Sequence, residues 1–172
     1  MWGRGRILGL FLCASLPAFP AAAAPTSATT TVTVKASVVK PLVLTAKQDL
    51  DLGTIVLTNG TWSGVTISVS QAGVRSCASA NVTCSGTAQA AKFNVVGTNN
   101  NSAQISAPNV TLVNQSDSTK TLVMTLSAPA SIAIPNSGQP GVDFSVGGSI
   151  TVSSTTAGGL YSGTMNVTVD YQ

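Results

Sequence analysis

The chain has 172 residues, eight basic and five acidic, and no histidine. Glutamate is missing as well, so the usual general bases and most metal-ligand sets are unavailable; neither an enzyme nor a cofactor is expected. Without Arg4 and Arg6, which lie in a leader-like start, six basic residues face five acidic ones, which leaves no basic patch for nucleic acid or an anionic membrane.

Residues 1–23 read as a secretory signal peptide. Arg4 and Arg6 give the positive start, Ile7 to Leu16 the apolar centre, and Ala21 to Ala24 the small residues of a cleavage site, with the cut expected after Ala23. The apolar run is too short for a membrane span, and no other span is expected in the mature chain. Leu12 before Cys13 does not suit lipoprotein cleavage. An N-terminal arm, 24–39, and one β-domain, 40–172, are expected to follow.

The polar half of the chain is Thr, Ser, Asn and Gln, and the apolar half is rich in β-branched residues, a composition suited to strands. Thr30 to Val38 alternates: Val32, Val34, Ala36 and Val38 share one face. Pro41 then interrupts pairing or marks an edge. Leu42–Thr45 and Gln48–Ile55 read as strands, with a bend or bulge at Gly53. Asn59-Gly60 is a turn signal before a strand over Trp62–Val69. Residues 71–90 are small and polar and read as a loop. Cys77 and Cys84 fall inside it, and in an exported chain their spacing predicts a disulfide rather than half of a metal site. Further strands are expected over 91–96, 103–106, 110–113 and 122–126, around Ile132 and Ile134, and over 144–152.

Gly158 to Gln172 alternates again. Tyr161, Gly163, Met165, Val167, Val169 and Tyr171 fall on one face. No hairpin partner follows this strand, so its neighbour comes from far away in the chain or from another molecule. One expectation is that it pairs with Thr30–Val38 between subunits. A plainer one makes both ordinary strands of one closed sandwich. The fold class is all-β, an antiparallel β-sandwich. Asp49 and Asp51 share a face and read as a solvated edge rather than a cation site. Most aromatics sit at core positions. Trp62 is the one to watch should the chain be a glycan-binding module.

The arm TTTVTVKASVVKPLVLTA, the segment LDLGTI and the closing GGSITVSSTTAGGLYSGTMNVTVDYQ resemble a family of exported bacterial β-sandwich proteins known as a domain of unknown function. That family is similar to spore coat protein U and the pilins of archaic chaperone–usher systems. Such pilins carry a glycine fourteen places from the end, alternating apolars and a penultimate aromatic. Gly159, then Met165, Val167 and Val169, then Tyr171 fit that pattern. The resemblance implies an incomplete immunoglobulin-like fold completed by strand donation. It implies an acceptor groove lined by Gly159, Tyr161, Met165, Val167, Val169 and Tyr171, and a donor strand with Val32, Val34, Ala36 and Val38 as its knobs. The implied partners are other copies in a head-to-tail polymer, a periplasmic chaperone and an outer-membrane usher. The implied location is the periplasm in transit, then the cell surface or a fimbrium. The chain departs from many such pilins in having no cysteine near the first strand. A self-complemented monomer that binds surface glycans is the alternative.

Overall fold

The computed structural model describes residues 27–172. The signal-peptide reading lies outside the described residues. The chain divides into two units, Met1–Ala36 and Ser37–Gln172. In the first unit residues 27–36 form no strand, and Val32 and Val34 are 81% and 87% exposed. The alternation is present, but a strand needs a partner to supply its hydrogen bonds.

The second unit carries thirteen strands and, among the described residues, no helix. They are β1 (Val43–Gln48), β2 (Thr54–Leu57), β3 (Val65–Val69), β4 (Arg75–Ser76), β5 (Val82–Ser85), β6 (Ala91–Val96) and β7 (Asn101–Ser106). The rest are β8 (Val110–Asn114), β9 (Thr121–Ser127), β10 (Ser131–Ile134), β11 (Val142–Val152), β12 (Tyr161–Ser162) and β13 (Thr168–Tyr171). All strand pairs are antiparallel. The largest sheet runs β1-β6-β11-β9-β8-β12, with β3 added to β11 and β4 to β3; β10-β7-β13 and β2-β5 form two smaller sheets. The arrangement is sandwich-like, as the alternation predicts.

β11 organises the packing. Val142–Val146 pair with β6, while its second half pairs with β3 and β9. Phe144 stands opposite Phe93, and the two rings stack with centroids 5.3 Å apart. One core cluster gathers Ile67, Val69, Met124, Ile150 and Val152. The other gathers Phe93, Val95, Ile105, Ile134, Phe144 and Val146. Leu50, Leu126 and Met165 pack against both.

The chain changes its inward face at Gly53. Before it Leu42, Leu44, Leu50 and Leu52 pack inward; after it Ile55 and Leu57 do, so the parity has shifted by one residue. Gly53 has φ +73°, and a Cβ there would stand 2.7 Å from the Ser85 carbonyl oxygen. Arg75 Nη1 fixes the bend by donating to the carbonyls of Leu52 (3.1 Å), Ser85 (2.8 Å) and Gly86 (3.3 Å).

Residues 71–90, expected as a loop, contain β4 and β5. These strands are short, and their Thr, Ser and Cys residues leave little apolar alternation to read. The Cys77–Cys84 disulfide forms as expected and packs against the first cluster. A ring this small restricts the unfolded chain by roughly 2–3 kcal/mol in the chain-entropy picture.

On the opposite face Asp143 joins three strands. It accepts from the buried Asn94 amide and pairs with Lys47 Nζ at 3.1 Å. These contacts, the Asn94 bond first, hold its carboxyl below its ordinary value of 3.8. The contribution is therefore present above the unfolded-state value and is lost as pH falls through the lower folded value.

Two outcomes test this packing. Arg75→Met should cost about 1 kcal/mol in urea unfolding, by leaving the part-buried Leu52 carbonyl without its donor and loosening the Gly53 bend. The stability difference between Asp143→Asn and wild type, measured across pH 7 to pH 2, should shrink as the acid end is approached; a constant difference would refute the coupling.

Candidate functional site

A groove of about 760 Å³ opens in the second unit. One wall is the segment 46–57, running from β1 through the Gly53 bend into β2; the other is 156–165 around β12. Its floor is core: Val110, Leu112, Leu122, Met124, Ile150 and Val152. Leu112, at the middle of β8, and Leu122, near the start of β9, are only partly buried.

Both walls are unpaired strand edges. β1 and β12 are the two ends of the large sheet, and β2 pairs only with β5. The pairing along the first wall shows which way its backbone points. Asp51 exchanges both backbone hydrogen bonds with Gln89, at 2.9 and 2.8 Å. By alternation the adjacent Leu50 turns its N–H and C=O to the other side, and neither has a partner among the described residues. Such an edge, backed by exposed core, is a template for another strand.

The second wall was expected as one continuous strand. It is instead two short pieces, with residues 163–167 in no strand. Ser162 stands opposite Val113 in β8 and Thr168 opposite Ser106 in β7; the break begins beside Val110–Leu112 of β8 and ends at the link between those strands. That link contains Pro108, which has no N–H to give. The inward alternation survives: Tyr161, Met165, Val167, Val169 and Tyr171 are each half-buried and their neighbours are exposed. Gly163, expected on the same face, is exposed.

Gly159, Tyr161 and Met165 line the groove. Val167, Val169 and Tyr171 lie beyond it and pack against the second cluster. Gly159 has φ +142°, and a Cβ there would stand 2.5 Å from Asn114 Nδ2. Asn114 is 2% exposed and locks this wall. Its amide donates to the Gly158 carbonyl at 3.1 Å, and its Oδ1 accepts from the Ser116 and Asp117 backbones. The Asn-x-Ser-Asp run, Asn114 to Asp117, is the sequence signal of this Asx turn.

Tyr171 fastens the far end. Its hydroxyl donates to the Lys40 carbonyl and accepts from the Thr98 N–H, both at 2.7 Å. The penultimate aromatic thereby ties the C-terminal segment to the approach to β1 and to the turn between β6 and β7.

Trp62 is partly buried against the first cluster, and its indole N–H donates to the Thr58 carbonyl at 3.2 Å. Asp49 and Asp51 are exposed on the rim of the first wall, as expected of a solvated edge. The described residues of the expected donor segment, Val32, Val34, Ala36 and Val38, are exposed.

Residues 42–171 match a family described as a domain of unknown function, DUF4402. The chain belongs to that family. The DUF4402 match begins at the approach to β1 and ends on Tyr171, so it spans the groove and both its walls and leaves Thr30–Val38 outside. No curated protein and no solved structure matches the chain.

Removing the Tyr171 hydroxyl strands two backbone groups. Tyr171→Phe should therefore destabilise this DUF4402 domain by about 1–3 kcal/mol in urea unfolding. An unchanged midpoint would show that the fastening carries no stability.

Proposed function

We propose that this chain is a non-catalytic structural subunit of a surface polymer, in which the groove of one copy receives a strand from the next. The observation that carries the reading is the groove itself: two unpaired strand edges flanking an apolar floor on which Leu112 and Leu122 stay partly exposed. A strand laid there would gain main-chain hydrogen bonds along its edges and bury alternate side chains on the floor.

The segment with the right pattern is Thr30–Val38. Extended, it spans about 30 Å. Each valine it buries contributes about 1.5–3 kcal/mol before the ordering cost of the segment. Donor and acceptor are different surfaces of one chain, so a contact between copies leaves a free groove at one end and a free arm at the other. Head-to-tail contacts of this type build an open fibre. From the sequence resemblance to chaperone–usher pilins and spore coat protein U, the proposal takes export through the periplasm, a chaperone that covers the groove in transit, an usher, and a final place at the cell surface. A donating arm together with an acceptor groove suits a shaft subunit better than a tip.

Mature protein sheared from the cell surface should run as a ladder on an unboiled denaturing gel and as one band after boiling. Val34→Arg, which puts a charge on the apolar floor, should abolish the ladder and leave the melting of the monomer unchanged. A normal ladder from Val34→Arg would remove Thr30–Val38 as donor. A single band from wild type in both lanes would remove the polymer, and glycan binding lost in Trp62→Ala would then become the leading test.

A further inference from the structure

The groove carries a charge pattern that the apolar fit does not use. Of the residues lining it, the ionised ones are Asp49 and Asp51, and no basic side chain joins them. Both are exposed, and neither forms an ion pair among the described residues. They point outward because the wall alternates: Leu50 and Leu52 take the inward positions.

The donor segment has the complementary pattern. Between Ser27 and Val39 its single charged residue is Lys35. Val32, Val34, Ala36 and Val38 occupy one face, so Lys35 occupies the other. A strand that lays those valines on the groove floor therefore presents Lys35 on the same outer face as Asp49 and Asp51. Residues facing each other on one side of a strand pair are in contact range, and a lysine stem reaches the diagonal neighbour as well.

Resting on the strand-exchange reading, we propose that Lys35 of an incoming copy pairs with Asp49 and Asp51 on the groove rim of the accepting copy, and that this pair steers the arm onto the first wall with its charged face outward. The two carboxylates stand two residues apart, about 7 Å along the wall, so Lys35 meets one directly and the other diagonally. The pair speeds encounter and selects which face of the arm turns outward, while contributing little to total affinity.

The test uses the full mature chain and follows ladder formation from purified monomer at about 20 mM and about 500 mM salt. Lys35→Glu lies outside the sandwich and carries no folding burden. It should slow assembly at low salt roughly three- to tenfold, because like charges replace an attractive pair. High salt should largely erase the difference. Asp49→Lys with Asp51→Asn should slow the wild-type arm similarly. The asparagine keeps the oxygen that accepts from the Gly53 N–H at 2.8 Å. Combining these changes with Lys35→Glu should restore the wild-type rate. Wild-type kinetics for Lys35→Glu at low salt, or no recovery in the combined variant, would overturn the Lys35 pairing and leave strand exchange standing. Absence of a ladder from wild type under all conditions would overturn both.

Discussion

The controlling constraint in this protein is a pair of unpaired strand edges that flank an apolar groove. β1 and β12 end the main path of the large sheet, and neither finds a further strand in the unit. Backbone groups at such ends keep their hydrogen bonds only with water, while Leu112 and Leu122 on the floor between them stay partly exposed. Both costs disappear when one strand is inserted. The core is otherwise continuous, because Leu50, Leu126 and Met165 belong to both clusters and two of them lie in the groove walls. Filling the groove would therefore complete the same core that the rest of the sandwich already builds.

Several local devices hold the groove open and in shape. Tyr171 bonds to the approach to β1 and fastens one end of the two edges. Asn114, buried under Gly159, fixes the second wall; Arg75, gripping three carbonyls beside Gly53, fixes the first. These are polar groups whose hydrogen bonds go to the backbone. Such an arrangement suits a binding edge, whose geometry must match the pitch of a strand.

Much of the fold was legible because period-two alternation marks a half-buried strand wherever the apolar residues are large. β6 was read with its observed bounds, and β8 and β9 within a residue of theirs. The bend at Gly53 was legible for the same reason: the alternation stops there. β4 and β5 were not, since strands of two and four residues built from Arg, Ser, Thr, Val and Cys carry almost no periodic signal. The broken last strand was hidden too, because its alternation continues through 163–167 while its hydrogen-bond partner changes from β8 to β7. The groove was half legible. Gly159, Tyr161 and Met165 were named, but Leu112, Leu122 and Met124 stood only as members of the expected strands 110–113 and 122–126. A sequence shows which face is apolar; it does not show whether anything covers that face.

The most direct measurement is amide hydrogen exchange on assembled and monomeric protein, resolved along the arm. The account predicts that amides of Thr30–Val38 exchange at open-chain rates in the monomer and are strongly protected in the polymer, together with Leu50 on the groove wall. A polymer in which those arm amides still exchange at open-chain rates would contradict strand exchange as the basis of assembly.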